Sequence, residues 1–282
     1  MFKDYLKEVG FNTEPVLLTY PDSEVINSAI QQAMKSTPEY EFSTHNKQTH
    51  YLWKICEPQV VDQIKAEFER MPLLYIADGH HRSASSALLA KESKAANTNH
   101  NGEEPYNYFM SFLIAESNLK IHEFSRLITD LNGLSKKEFL MRLDTSFRIE
   151  NRGIEVYSPS KKHHFNMYLD GEFYSLYLRK TNYNFNDSLS TLDPYILYKK
   201  ILKPILGIED LRNDSRISYI HGKNDLIEII AKIDSGKFAV GFGMLPLTIE
   251  EIKKVADEGL IMPPKSTYIE PKLRSGLTIY EF

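Results

Sequence analysis

The chain has 282 residues, which corresponds to about two domains of ordinary size. Hydrophobic residues make up 42% and charged residues 26%, a composition that is typical of folded proteins and excludes global disorder. The single cysteine, Cys56, excludes a disulfide scaffold and any multi-cysteine metal site within one chain. A net charge of −4 argues against a general attraction to nucleic acid or anionic lipid.

No stretch of the sequence approaches the roughly 18 consecutive apolar residues that a bilayer-spanning helix needs. The N-terminal sequence MFKDYLKEVGFNTEP also lacks the apolar run and small-residue cleavage site of a signal peptide. We therefore expect a cytoplasmic protein with no membrane partner and no evident nucleic-acid partner.

Strand-like and helix-like segments alternate through the first 115 residues. The predicted strands are VLLTY (16–20), YEFST (40–44), HYLWKIC (50–56), LLYIA (73–77) and YNYFMSFLIA (106–115). The predicted helices are SEVINSAIQQAMK (23–35), with Ser23 as N-cap, VVDQIKAEFERM (60–71) and HHRSASSALLAKESK (80–94). This alternation indicates an α/β arrangement in which at least some strands are parallel.

The second half of the sequence has a different pattern of predicted elements. HHFNMYLDGEFYSLYLRK (163–180) predicts a β-hairpin, because Asp170-Gly171 supplies the turn and apolar residues alternate on both sides. Beyond it we predict a helix from Asp193-Pro194, a helix over 224–233, a strand over 238–245 and a helix over 248–259 that Gly259 ends.

Common motifs for nucleotide binding and hydrolysis are absent from the sequence. There is no G-x-x-x-x-G-K-[ST], no H-E-x-x-H and no G-x-S-x-G. Gly241 and Gly243 begin a dinucleotide-like spacing, but they lie within a predicted strand and Pro246 breaks the pattern. The chemistry therefore depends on one local motif.

That motif is the sequence Asp-Gly-His-His-Arg (78–82), which stands where a predicted strand passes into a predicted helix. The first N–H groups of a helix have no internal partner, and the helix dipole adds positive charge, so a helix start attracts anions. Gly79 permits a tight turn, and Arg82 could make a bidentate contact to phosphate. Asp78 could accept a proton from a hydroxyl group or help to hold magnesium.

A purely structural interpretation of the same turn is equally open. Asp78 would then cap the helix, Gly79 would shape the turn and Arg82 would form a surface ion pair. His80 and His81 point to different faces of the helix, so at most one of them faces the same ligand as Asp78.

IADGHHR, followed by a helix of small residues, resembles the motif of the family known as domain of unknown function 1015. That family is grouped with SerK-like free-serine kinases in the ParB/sulfiredoxin superfamily. Further segments that are similar to the family are HYLWKI (50–55), FSRLITDLNGLS (124–135), LKPILGI (202–208) and MPPKSTYIEPK (262–272). Family members carry an additional N-terminal segment, with an acidic residue that assists catalysis in SerK-like kinases, and we expect this chain to lack it.

The resemblance implies a ParB/sulfiredoxin-like mixed sheet with helices in residues 1–118, which carry the turn, and a smaller α+β part in residues 119–282. It implies a nucleotide-dependent phosphotransferase that uses ATP or ADP with magnesium and acts on a small hydroxyl-bearing metabolite such as an amino acid. The implied catalytic residues are Asp78 and His80, and the implied nucleotide-binding residues are Gly79, His81, Arg82 and Ser83. No metal-ligand set is expected within the chain.

The superfamily contains other chemistries, and features of the sequence separate them. Sulfiredoxin chemistry needs a cysteine where this chain has His80, while Cys56 lies in a different predicted strand. A ParB-like DNA reader needs a helix-turn-helix that the sequence does not show. A non-catalytic nucleotide-binding or regulatory module, an interaction domain and assembly as a homodimer all stay open.

Overall fold

The computed structural model, which describes residues 2–45, 47–221 and 225–282, has a mixed α/β fold. The helices are α1 (Phe2–Val9), α2 (Glu24–Ala33), α3 (Pro58–Glu69), α4 (His80–Ala96), α5 (Lys136–Asp144), α6 (Asp193–Leu197), α7 (Asp225–Asp234) and α8 (Ile249–Asp257). The strands are β1 (Phe11–Asn12), β2 (Val16–Tyr20), β3 (Tyr40–Ser43), β4 (Thr49–Leu52), β5 (Tyr75–Asp78), β6 (Ser111–Ala115), β7 (Lys120–His122), β8 (Ser125–Ile128), β9 (Phe147–Gly153), β10 (His164–Leu169), β11 (Glu172–Leu178), β12 (Ile217–Ile220), β13 (Val240–Gly243), β14 (Tyr268–Glu270) and β15 (Tyr280–Glu281). None of the described helices combines the length and apolar character that crossing a membrane requires.

The contacts within the chain divide it into two units. The first comprises Met1–Leu119 together with Pro271–Phe282, and the second comprises Lys120–Glu270. The sequence predicts that residues 271–282 belong to the second part, whereas the structure places them in the first. The reason is strand pairing, because β15 lies antiparallel to β1 and the Gly276 N–H donates to the Thr13 carbonyl over 2.7 Å.

The first unit contains a three-stranded sheet in the order β5-β2-β6. The central strand β2 is parallel to β6 and antiparallel to β5, so the predicted mixed pairing is confirmed. The strand predicted at 73–77 begins two residues later and is half-buried rather than buried, because β2 is its one partner in the described sheet. The long strand predicted at 106–115 is also shortened, since Pro105–Asn107 forms a 3-10 turn instead.

Two local features that the sequence predicts, a helix N-cap and a hairpin turn, are present in the structure. The Ser23 hydroxyl accepts a hydrogen bond from the Ile26 N–H at 3.4 Å and caps α2, as predicted. In the second unit Asp170 and Gly171, with φ angles of 52° and 76°, form the turn of the predicted hairpin between β10 and β11.

The second unit is built on a six-stranded antiparallel sheet in the order β12-β8-β13-β10-β11-β9. The helix predicted from Asp193 is α6, which continues as a π-helical turn over Tyr198–Leu202. The first residue of the helix predicted at 224–233 lies outside the described residues. This unit carries the most deeply buried side chains, among them Phe139, Phe147, Phe165 and Phe242.

Gly241 on β13 offers a test of how closely α7 packs on this sheet. A Cβ atom at this position would lie 2.7 Å from Ile229 Cγ2 and 3.1 Å from Leu127 Cδ2. We predict that Gly241→Ala lowers the free energy of unfolding by about 1–3 kcal/mol through overpacking, as measured by urea denaturation. Ile154→Ala, at a side chain that is 91% exposed, serves as the control and should change it little. Equal stabilities for wild type and Gly241→Ala would contradict this packing.

Candidate functional site

The turn between β5 and α4 brings the predicted site residues to one place in the first unit. β5 ends at Asp78, α4 begins at His80, and Gly79 joins them with φ 90° and ψ 25°. This left-handed conformation strains any residue with a side chain. A Cβ atom on Gly79 would also lie 3.1 Å from Nε and Nη2 of Arg82. Glycine is therefore required both by the backbone and by the guanidinium that packs against it.

Asp78 is the carboxylate of this turn. It accepts a hydrogen bond from Lys272 Nζ at 2.6 Å, and its Oδ2 lies 3.6 Å from Arg82 Nη2. Burial by itself would raise the pKa of the Asp78 carboxyl. The hydrogen bond and charge of Lys272, the charge of Arg82 and the Gly79 N–H act in the opposite direction, and together they hold the pKa below its ordinary value. Asp78 is thus ionised at neutral pH, and two cations lie beside it.

Arg82 ties the start of α4 to the start of β2. Its Nη1 donates to the Pro15 carbonyl at 2.7 Å and lies 3.2 Å from Glu14 Oε2. The side chain is only 19% exposed. A bidentate contact of Arg82 with phosphate, as the sequence predicts, would have to compete with these contacts. In the structure the guanidinium is a structural tie that also places positive charge at the turn.

The start of α4 is open on its outer side. No side chain caps this helix start, and both His80 and His81 are exposed. Among the described residues, neither imidazole has a hydrogen-bond partner. Ser83 is half-buried, and its N–H donates to the Gly79 carbonyl at 2.9 Å as the first bond of the helix. The free N–H groups of this helix start are therefore available to an anion.

Sequence reasoning missed two residues of the site, Lys272 and Glu14. Lys272 is separated from Asp78 by 194 positions in the sequence. The cluster of Lys265, Lys272 and Arg274 does signal a basic C-terminal stretch, but nothing in that pattern indicates which lysine meets Asp78.

A small cavity of about 20 Å³ lies between these groups and is lined by Glu14, Asp78, Arg82 and Lys272 among others. This volume accommodates about one water molecule, so a larger ligand must lie on the open surface.

Magnesium is compatible with the donors of this turn. Mg²⁺ in nucleotide sites is held by one or two carboxylates together with phosphate oxygens and water. Asp78 and Glu14 supply two carboxylates around the Arg82 guanidinium. Within residues 2–45, 47–221 and 225–282, no three His, Cys, Asp or Glu side chains form a ready-made metal site. Both carboxylates of the turn already pair with cationic side chains, so a metal ion here would need further ligands from outside the described residues.

Comparisons with known proteins give a family and several structural similarities. A family model described as protein of unknown function (DUF1015) matches residues 1–195. No curated protein is significantly similar in sequence. The chain is similar in structure to a mutant free serine kinase in complex with AMP (12% identity, 95% of this chain and 78% of that chain, TM-score 0.44), to a conserved hypothetical protein from Pyrococcus furiosus (12%, 97% and 83%, 0.43) and to SbnI with a C-terminal truncation from Staphylococcus aureus (12%, 97% and 75%, 0.46).

The tie made by Arg82 predicts a stability effect. Arg82→Ala removes charge-assisted hydrogen bonds, so we expect urea denaturation to show a loss of about 1.5–3 kcal/mol. Arg70→Ala is a matched control, because its side chain is 76% exposed and pairs with Glu67 on the same helix surface, and such pairs contribute under about 1 kcal/mol. Equal losses of unfolding free energy in the two variants would show that Arg82 contributes no more than a surface ion pair does.

The ion pair of Lys272 predicts a change in the titration of Asp78. In Lys272→Met the hydrogen bond and the charge are lost while burial persists, so the pKa of Asp78 should rise. Because the carboxylate pKa is lowered in the folded wild type, its contribution to stability is present above the unfolded-state pKa and is lost as the pH falls. A ¹³C NMR titration of the Asp78 carboxyl group measures this shift directly. Arg274→Met is the control, and an unchanged Asp78 pKa in Lys272→Met would refute the pairing.

Proposed function

The chain belongs to the DUF1015 family, and we propose that it is a nucleotide-dependent phosphotransferase that acts on a small hydroxyl-bearing metabolite such as an amino acid. One observation carries the proposal. An exposed helix start without a side-chain cap lies directly beside an ionised carboxylate that is flanked by two cations. The N–H groups of the helix start would bind a phosphate. The carboxylate would accept the proton of the hydroxyl group that attacks that phosphate.

The phosphates of ATP or ADP would bind at the start of α4. Gly79 lets them approach the backbone, and the N–H groups of His80 and His81 point along the helix toward that position. Lys272 and Arg82 add positive charge, and the Ser83 hydroxyl lies within the first turn of α4. Since the cavity holds little more than a water molecule, the base and the ribose would lie on the open surface beside the two exposed histidines.

Asp78 is the proposed acceptor of the hydroxyl proton. Phosphoryl transfer depends chiefly on positioning and on neutralisation of charge, so an ionised carboxylate beside a phosphate cradle supplies much of what the reaction needs. His80, one residue beyond Gly79, would donate or accept a proton at the exposed side of the turn. In an alternative role, Asp78 would hold a magnesium ion that is bound with the nucleotide and neutralises phosphate charge.

A second candidate function is nucleotide binding without turnover, as in a regulatory module. The contact of 2.6 Å between Lys272 and Asp78 favours it, because a carboxylate held by an ammonium group is a weaker base. The two candidates agree on binding and differ on what Asp78 does.

We predict that calorimetric titration detects binding of ATP or ADP with magnesium and much weaker binding of adenosine, because the helix start recognises phosphate. Phosphoryl transfer to a panel of hydroxyl-bearing amino acids is then followed by ³¹P NMR. Asp78→Asn keeps the shape of the turn, so it should retain nucleotide binding while turnover falls by about 10² or more. Asp22→Asn is the matched control, because Asp22 is another hydrogen-bonded carboxylate of the first unit and should keep both properties.

The outcomes separate the candidates. Nucleotide binding without transfer to any member of the panel would favour the regulatory module. Undiminished turnover in Asp78→Asn would remove Asp78 from the chemistry. Failure of the wild type to bind any nucleotide would contradict both functions.

A further inference from the structure

Two cations of the second unit, Arg126 and Lys265, have no acidic partner among the described residues. The Arg126 guanidinium on β8 is 3% exposed and donates to the carbonyl groups of Phe124 and Lys265, the latter at 3.0 Å. Its third contact is the Met244 sulfur at 3.5 Å. The Lys265 ammonium lies 5.3 Å from the centre of the Phe124 ring. In the described part of the chain, no carboxylate lies within ion-pair distance of either cation.

An uncompensated charge of this kind is costly to bury. Burial lowers the pKa of Arg126 to about 10, against the opposing effects of Tyr219 and Glu123, so the guanidinium still carries its charge at neutral pH. Buried charges in proteins are normally paired. Among the described residues Arg126 has no carboxylate within ion-pair distance, so its charge is compensated by carbonyl dipoles and by the more distant Glu123.

The neighbouring turn holds Lys265 in an unfavourable conformation. Its φ angle is 55°, in the left-handed region that glycine adopts without strain. Two hydrogen bonds keep the turn in place, from Arg126 to the Lys265 carbonyl and from the Ser266 hydroxyl to the Pro263 carbonyl at 2.7 Å. Strain of this kind persists where the surroundings over-determine it, and it is concentrated at functional sites. This chain has a lysine at a position where glycine would adopt the backbone angles with less strain. We take this as a sign that the lysine side chain has a role.

The ring that the Lys265 ammonium contacts belongs to a small aromatic cluster. Phe124 lies beneath it, and the rings of His221 and Tyr268 stack on each other at 3.8 Å and meet Phe124 edge-on. The Lys265 side chain is exposed, and Phe124 covers one side of its ammonium group.

We propose that Lys265, with Arg126 behind it, forms a binding site for a compact oxyanion, the phosphate or carboxylate group of a small molecule. The ammonium contacts the anion as a point charge. Arg126 fixes the turn that presents the lysine and adds a second positive charge. The site uses only residues of the second unit, and its test changes no residue of the turn at Asp78.

Lys265→Gly separates binding from structure. Glycine relieves the positive φ angle, so this variant should be at least as stable as wild type in urea denaturation while it loses the ammonium. Lys237→Ala is a matched control, because the Lys237 ammonium also lies over a phenylalanine ring, at 5.8 Å from the centre of Phe238, without an arginine behind it.

The probes are sodium phosphate and sodium acetate, titrated at constant ionic strength against sodium chloride and followed by thermal shift and NMR. We expect a saturable effect of phosphate or acetate on the wild type, and the anion with the stronger effect identifies the group that the site accepts. Affinity should fall about tenfold or more in Lys265→Gly and stay unchanged in Lys237→Ala. The proposal is overturned if neither anion has a saturable effect on the wild type, if Lys265→Gly binds as well as wild type, or if Lys237→Ala loses as much affinity.

Discussion

The packing of one guanidinium over one glycine determines the geometry of the candidate site. Arg82 lies against Gly79, reaches back to the Pro15 carbonyl and thereby sets where α4 starts relative to β2. A side chain at position 79 would crowd Arg82, and loss of the Arg82 contacts would free the start of α4 from Pro15 and remove one of the two cations beside Asp78. The direction of the helix dipole and the position of the carboxylate are thus two results of the same contact. This coupling explains why the acidic and the anion-attracting groups of the turn stay side by side.

The charged side chains around the turn form ion pairs that can exchange partners. Asp78 has two cationic neighbours, Lys272 and Arg82, and Arg82 also faces Glu14. The side chains of Asp78, Lys272 and Glu14 are partly exposed. Water therefore screens these ion pairs, and they can rearrange at modest cost. Loss of the Lys272 contact would raise the pKa of the Asp78 carboxyl. Under the proposed function, a phosphate that competes for Lys272 would therefore make Asp78 a stronger base.

Local signals were sufficient for much of the fold. Ser23 predicts a helix start because its hydroxyl can cap the helix. Asp170-Gly171 predicts a hairpin because few other residues adopt the positive φ angles of such a turn. The alternation of strands and helices also predicted the mixed sheet, and the motif at residues 78–82 predicted the family that the model match confirms.

Contacts between distant parts of the chain could not be predicted in this way. Periodicity does not reveal that β5 lies at an edge of the described sheet, so its burial was overestimated. Nor does composition reveal that Arg82 meets Pro15 or that Lys272 meets Asp78, because both pairs are joined only by folding. The roles of Asp78, Gly79, His80, His81, Arg82 and Ser83 in binding and catalysis stay predictions, although all six lie in one turn.

The return of residues 271–282 to the first unit has a consequence for synthesis on the ribosome. Chains emerge from the N-terminus onward, and domains generally fold as they appear. Here every residue of the second unit is made before β15 can pair with β1 and before Lys272 can reach Asp78. The first unit begins to form early but is completed late, and through that interval the Asp78 carboxylate lacks its ammonium partner. A chain interrupted within the second unit would carry the whole Asp-Gly-His-His-Arg sequence and still have an unfinished site.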